Sequence, residues 1–306
     1  TGGSYEDSEY IWMKDYLQLD GLVYKLVPIK TSIDANPYEM GRIDSDLMYN
    51  IVKEWSWGNS NSNKIYHDPE TRKNSISFRS NLSRLSEVLI DEDKYEQAEE
   101  IIDLAFSKMP IDYYGYYSLW TPFVKGYYEI NRDDKAQEIV KKLSFKYSDR
   151  LNYYSSLEIF NQYNVGEEII SDIERFRNLI ETIKASGEKD ILSEQIKSFI
   201  SGSEKFNYIY GEYDFYISLS DFIISLVELN QLEYSRSILD KIEEQLIRRV
   251  SVFSNIDQDE QVYYIEGITS DINQYSRLIS QIEIYDVELH NDYDKNLKEM
   301  LSKMVE

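Results

Sequence analysis

Apolar residues recur at helical spacing through most of the chain. From Leu82 to Pro110 the sequence LSRLSEVLIDEDKYEQAEEIIDLAFSKMP puts Leu82, Leu85 and Leu89 on one face of a first helix, and Ala98, Ile102 and Ala105 on one face of a second. A short acidic turn joins them, and Pro110 ends the unit. Ala98 and Ala105 are small, so two antiparallel helices can approach closely there while the leucines fill the space on either side. The pattern recurs 38 positions on, with Trp120, Phe123 and Tyr127 in the leucine places and Ala136, Val140 and Leu143 in the others. A looser pair starts near Leu151, with helices expected around Tyr154 to Tyr163 and Glu167 to Lys184, and breaks at Gly166 and Gly187. Residues 193–215 read as a long loop or an irregular helix. The repeat returns with Leu219, Phe222 and Leu226, then Ser235, Leu239 and Ile242, Ser235 taking the small-residue crossing position. A last pair is expected over Asp259 to Tyr285 and Asp294 to Met304, the final helix serving as a terminal cap with a polar outer face.

The first seventy-odd residues do not keep this period. A short helix is expected over Tyr10 to Leu19 with Gly21 as its left-handed cap. LVYKLVPIK, residues 22–30, is short and β-rich, and Pro28 makes it an edge strand or an extended arm. Asn36-Pro37 marks a turn. Asp44 or Ser45 then caps a helix through Leu47, Met48, Ile51, Val52 and Trp55 that Gly58 ends. NSNSN (59–63) reads as a flexible loop and His67-Asp68-Pro69 as a turn, with the helical region beginning near Ser75. One helical hairpin cannot bury its own apolar stripe, so it needs neighbours stacked against it. The expectation is an all-α protein: tetratricopeptide-like hairpins over 75–306 stacked as a solenoid, preceded by an irregular connector or cap over 1–74 with a short extended segment.

The chain carries 33 Lys and Arg against 56 Asp and Glu, a formal charge of −23. Such a balance serves solubility and repels nucleic-acid phosphates and anionic lipid alike. There is no cysteine, which excludes a disulfide framework, a thiolate nucleophile and Cys-ligated metal. No run of about 18 apolar residues exists, so no membrane span is expected here. The chain opens Thr1-Gly2-Gly3-Ser4 with neither Met nor a signal peptide, which reads as a trimmed or processed form. The 28 tyrosines suit both helix packing and contacts with sugars or peptides, since each ring has an apolar body and a polar tip.

No catalytic, cofactor-binding or metal-ligating constellation emerges. His67 and His290 sit in different contexts, with no histidine at i+4 and no zinc-type pattern, so both are expected at the surface or in packing. Asp44-x-Asp46 and Asp257-x-Asp259 have the oxygen donors a calcium ion wants, yet neither has the glycine and distal glutamate of an EF-hand loop. Helix capping accounts for the first and a solvated acidic turn for the second. The best binding candidates are Tyr113, Tyr114, Tyr116 and Tyr117, in the linker IDYYGYY between the first two hairpins. Trp120 and Tyr127 fall on repeat positions and are expected in the core.

DYLQLDGLVYKLVPIK (15–30), GRIDSDLMYN (41–50), WGN (57–59) and HDPETRKNSISFRSNLSRL (67–85) together resemble the C-terminal region of a family of Bacteroidetes membrane proteins related to protein O-mannosyltransferases, domain of unknown function 2723. Leu19, Gly21, Leu22, Tyr24, Leu26, Pro28, Gly41, Arg42, Asp44, Asp46, Trp57 and Gly58 fall in that family's order. The resemblance is densest over 15–110 and weaker, as helical repeats, to the C-terminus. It implies a multi-pass GT-C type glycosyltransferase whose acidic catalytic residues lie in an N-terminal membrane portion that these residues do not include. It further implies a beginning inside the family's soluble region, with a short strand upstream.

The expectation is therefore a non-catalytic periplasmic domain, at the periplasmic face of the inner membrane. It would partner the membrane-embedded part of its own parent chain, and bind acceptor proteins or peptides or stabilise the transferase. No cofactor and no nucleic acid are expected. A stand-alone surface protein that binds glycans or peptides is the rival reading. Gly21, Tyr24, Pro28, Arg42, Asp44 and Asp46 are expected to be structural, with Asp44 capping a helix and Arg42 bonding nearby carbonyls.

Overall fold

The structure, a computed structural model, describes residues 11–31 and 40–305, with side chains over 13–31 and 40–302. The turn expected at Asn36-Pro37 and the helix start expected at Tyr10 lie outside the described residues. The protein is mostly helical, with a small N-terminal two-strand hairpin. Its packing forms two compact units, one ending at Leu143 and one beginning at Ser144. Among the described residues, no helix is long and apolar enough to cross a membrane.

In the first unit a 3-10 turn over Ile11–Tyr16 runs into β1 (Leu17–Asp20), which pairs antiparallel with β2 (Val23–Leu26), Asp20 facing Val23. Leu17 to Asp20 is thus strand rather than helix, because it has a backbone neighbour on both sides. On the side away from β2, Leu19 donates to the Arg42 carbonyl at 2.8 Å and Arg42 donates to the Leu17 carbonyl at 2.9 Å. Gly21 is not a helix cap. It sits at φ +70° in the two-residue turn of this hairpin, where a Cβ would lie 3.0 Å from the Trp55 ring. Helix α1 (Ser45–Lys53) starts where Asp44 accepts the Leu47 N–H at 3.1 Å. It stops before Trp55, which instead meets Trp57 and Phe78 edge-on, at 5.5 and 5.3 Å. The expected turn at Asp68 is the cap of α2 (Pro69–Asp91): Asp68 accepts the Thr71 N–H at 2.9 Å, and Pro69 opens the helix ahead of Ser75. Then follow α3 (Tyr95–Lys108), a single turn α4 (Ile111–Tyr114), α5 (Thr121–Glu129) and α6 (Asp133–Ser156). The segment read as a connector falls in the same unit as helices α2 to α5, and α6 runs across the boundary at Leu143.

Leu151, expected to open a new pair, lies inside α6. Beyond it come α7 (Ile159–Asn164), α8 (Gly166–Ala185) and α9 (Leu192–Ser203). The break expected at Gly166 falls one residue earlier, at Val165, with Gly166 the first residue of α8, and Gly187, at φ +77°, follows the end of that helix. The stretch expected as a long loop or an irregular helix is interrupted helix: α9, a 3-10 turn, α10 (Asn207–Tyr210) and α11 (Glu212–Ile217). The chain ends with α12 (Ser220–Glu228), α13 (Leu232–Asn255), α14 (Gln258–Ile282) and α15 (Val287–Val305). Helix α15 starts earlier than Asp294 because Asp286 accepts the Leu289 N–H at 2.7 Å.

Three hairpins share one turn. Asp93, Asn131 and Asn230 stand at φ +59°, +57° and +57° between α2 and α3, α5 and α6, and α12 and α13. Each donates to the carbonyl three residues back, and the next residue donates to the one five back: Lys94 to Leu89, Arg132 to Tyr127 and Gln231 to Leu226, all at 2.8 Å. That is a Schellman closure of the first helix of each pair. Five residues after the left-handed one come Ala98, Ala136 and Ser235, all fully buried at the crossing. The apolar positions read from the sequence in these three hairpins are buried as well.

A longer repeat underlies the second and third hairpins. Helices α5 and α6 recur 99 positions on as α12 and α13, with equal lengths of 9 and 24 residues. The match continues: Ser171-Asp172-Ile173 with Leu179-Ile180 corresponds to Ser270-Asp271-Ile272 with Leu278-Ile279. Arg150 Nε reaches Asp172 at 2.6 Å, and Arg249 reaches Asp271 at 2.8 Å. In the first copy the helix is interrupted at Val165; in the second, α14 runs through.

Charged groups also tie α3 to α6. Lys135 lies 2.9 Å from Glu99 and 2.7 Å from Asp103, and Arg132 lies 2.8 Å from Glu99. The Lys135 hydrogen bond, partly offset by burial, holds the Glu99 carboxyl below the usual glutamate range. A depressed carboxyl stabilises the fold above its unfolded pKa and loses that contribution as pH falls through its folded value. Urea unfolding across the acid limb, below about pH 4.3, should show Glu99→Gln losing less stability than the wild type. At neutral pH the order should be wild type above variant. At the shared turn, Asn230→Val should cost about 1–2 kcal/mol, since a branched side chain resists the left-handed region; Asn230→Gly should cost nothing or stabilise slightly. Equal midpoints for the two Asn230 variants would contradict that account of the turn.

Candidate functional site

The linker between the first two hairpins is built from the backbone outward. Pro110 precedes the single turn of α4, and Gly115 then takes φ +62° with ψ −148°, a combination open essentially to glycine alone. Tyr116 follows at φ +47°, ψ +57°, and Tyr117–Trp120 form a 3-10 turn into α5. A tyrosine in the left-handed region costs about 1–2 kcal/mol, so the surroundings must impose it.

Arg79 of α2 does so. Its guanidinium donates to the Gly115 carbonyl at 2.7 Å and the Tyr116 carbonyl at 3.4 Å, while another nitrogen reaches Ser75 Oγ at 2.8 Å. Its flat face lies 5.2 Å from the Trp120 ring centre. Arg79 is fully buried, and no carboxylate pairs with it among the described residues. Burial pushes its pKa down to about 10, which still leaves it a cation at neutral pH. The buried Trp120 indole N–H finds no acceptor among the described residues. Trp120 stacks on Phe106 at 4.4 Å, as its repeat position predicts for a core residue.

The four linker tyrosines separate. Tyr114 is buried, its hydroxyl donating to the Ser60 carbonyl at 2.8 Å and its phenol pushed up by burial. It anchors the 59–63 loop and offers no open face. Tyr113 is half-buried and stacks on His67, 5.4 Å between ring centres. Tyr117 is half-buried too. Tyr116 is 48% exposed, so its ring is the one presented to solvent. His67 lies 3.1 Å from the Ser62 carbonyl and is a packing residue; His290 lies 2.9 Å from the Ile279 carbonyl. No group of three or more His, Asp or Glu that could hold a metal occurs among the described residues.

The N-terminal motif residues form a separate cluster. The Gly21 carbonyl accepts from Asn81 at 2.8 Å. Arg84 donates to the Tyr24 hydroxyl at 3.1 Å and to the Gly41 carbonyl at 2.9 Å. Asp46 pairs with Lys94 at 2.7 Å, and Pro28 follows β2 at the surface. Arg42 donates its backbone N–H to the Leu17 carbonyl, so among the described residues its bonding is that of strand pairing. Nothing in the sequence marks Arg79: an Arg one turn after a Ser on a polar helix looks solvated until Tyr116 and Trp120 close over it.

Arg79→Met should lower stability by about 1–3 kcal/mol, the cost of leaving a buried acceptor unpaired. Amide exchange at residues 115–119 should speed up about tenfold. Arg79→Lys should recover little of either, because an ammonium cannot bond two sides and stack at once. Exchange rates unchanged in Arg79→Met would show that the loop holds its shape without the guanidinium.

No curated protein and no solved structure matches the chain. Residues 1–47 match the family model described as TMEM260-associated domain 2, TMEM260 being a membrane protein O-mannosyltransferase-like family. The match takes in the β1–β2 hairpin and the first turn of α1, the segment into which Asn81 and Arg84 of α2 reach.

Proposed function

We propose that this chain is a non-catalytic, extramembrane helical domain of a protein O-mannosyltransferase-like membrane protein, held at the periplasmic face of the inner membrane. In this reading its partner is the membrane-embedded part of its own parent chain. Its hairpins stack as a tetratricopeptide-like solenoid that binds acceptor polypeptides or steadies the transferase. The observation that carries it is the family match over residues 1–47 on a segment bonded into the first helical hairpin. A segment so built in ties the helical repeats to whatever the hairpin accompanies.

The exposed Tyr116 ring favours a second reading, a surface that binds glycans or peptides by aromatic stacking. The two separate experimentally. In the parent membrane protein, removing residues 75–306 while keeping the membrane portion should reduce acceptor glycosylation about tenfold or more. Wild-type glycosylation after that deletion would sink the first reading. Under the second, the isolated chain should give binding heat with oligosaccharides that Tyr116→Ala abolishes.

A further inference from the structure

The second unit carries the same corner twice. Helix α6 ends at Ser156 and α7 starts after Glu158; helix α13 ends at Asn255 and α14 starts after Asp257, 99 positions on. The two capping residues share one extended conformation, φ −58°, ψ 147° and φ −63°, ψ 146°. Each corner is locked by a glutamine of the following turn: Gln162 donates to the Leu157 carbonyl at 2.8 Å and Gln261 to the Ile256 carbonyl at 3.3 Å. Matching backbones do not require matching surfaces, yet the surfaces match in kind.

Both corners expose apolar side chains where a solvated helix end would carry polar ones. Tyr153, Phe160 and Tyr163 at the first, and Val252, Val262 and Tyr263 at the second, are each more than half exposed. Tyr153 and Val252 occupy equivalent positions, as do Tyr163 and Val262. These are not positions that the fold buries, so core packing does not explain them.

Charge narrows the partner. Residues 151–174 and 250–276 contain five carboxylates each and no Lys, Arg or His. Glu158, Glu167 and Glu168 stand exposed at the first corner, and Asp257, Asp259 and Glu260 at the second. Of the cations around them, Arg150 and Arg175 pair with Asp172, Arg249 with Asp214 and Asp271, Arg248 with Glu244, and Lys205 bonds Asn152 Oδ1 at 2.7 Å, while Arg277 stands about five turns along α14 from the second corner. A second copy would bring like charges together in a chain of formal charge −23, and an anionic membrane surface would be repelled.

We infer that these duplicated corners are two equivalent docking sites for a cationic amphipathic polypeptide segment, its apolar side chains meeting the exposed rings and its Lys or Arg the surrounding carboxylates. The inference rests on the second unit alone and does not depend on the Tyr116 linker or on the parent protein.

The test uses the whole chain and a fluorescent Leu/Lys peptide of about 18 residues with helical amphipathic spacing. A Ser/Lys peptide of equal charge is the control. The Leu/Lys peptide should bind with two sites per chain, and the control about tenfold or more weaker. Phe160→Ser with Tyr163→Ser should leave one site, Val262→Ser with Tyr263→Ser should leave the other, and all four together none. All four side chains are exposed, so the variants should keep the wild-type circular dichroism. Asp259→Asn with Glu260→Gln, which touches no apolar residue, should weaken the second site alone. Stoichiometry unmoved by these substitutions would overturn the inference, as would equal binding of the control peptide. So would no peptide binding together with ring-dependent self-association in sedimentation, or with ring-dependent adsorption to phosphatidylcholine vesicles.

Discussion

A helix that turns back on itself must do something with its last carbonyls, and the three clearest hairpins here solve this with one left-handed residue. Asp93, Asn131 and Asn230 are of the types that tolerate that region, and placing them there lets the next residue's N–H reach back five positions. The turn then sets the phase of the second helix. Five residues later the chain faces its partner again, and Ala98, Ala136 or Ser235 stands at the crossing. Where α5 packs on the first hairpin, a Cβ at Gly126 would lie 3.0 Å from the Ile102 side chain, so glycine allows the close approach there. Turn, crossing and core are one constraint: shifting the left-handed residue by one position would rotate the second helix by about 100° and bury its polar side.

The Arg79 cluster follows a different logic. A fully buried guanidinium without a carboxylate forgoes the usual compensation for leaving water. What it gains is geometry, since its donors meet carbonyls that would otherwise be orphaned, and its face meets an aromatic ring. The neighbouring backbone is held in a conformation that tyrosine avoids, and the outcome is one ring displayed beside three that are wholly or partly withdrawn. Display at a cost in stability is a common signature of sites that contact something else.

The helical hairpins were legible because their apolar residues keep the period and their crossing residues are small. Helix ends were less so. Ser75 looks like a beginning because the apolar period starts near it, yet Asp68 and Pro69 already carry the capping chemistry. Helix α9 was hidden because Ser and Gly residues interrupt its stripe of Ile196, Phe199 and Ile200. Gly202 is there because Leu151 packs within 3.1 Å of where its Cβ would be. The 38-residue offset was visible in a few letters, whereas the 99-residue one is spread thin. Its best written trace is the pair of Ser-Asp-Ile triplets, whose aspartates prove to be buried partners of arginine. Of the linker tyrosines, composition gave the cluster but not its sorting, because whether a ring is shown or buried depends on the backbone sign at Gly115 and Tyr116.

The segment matched to TMEM260-associated domain 2 cannot be understood in isolation. Two strands of four residues form a sheet too small to stand alone in water. Leu19 is fully buried, and so are Met48 and Val52 of α1, the helix against which β1 packs. Val52 already falls beyond residue 47, as do Trp55, which fills the space above Gly21, and Asn81 and Arg84, which bond its turn and the Gly41 carbonyl. The hairpin therefore needs α1 and α2 to hold its shape, and α2 in turn belongs to the first repeat. The family match thus falls on an element that takes its shape from helices beyond it, rather than on a separable module.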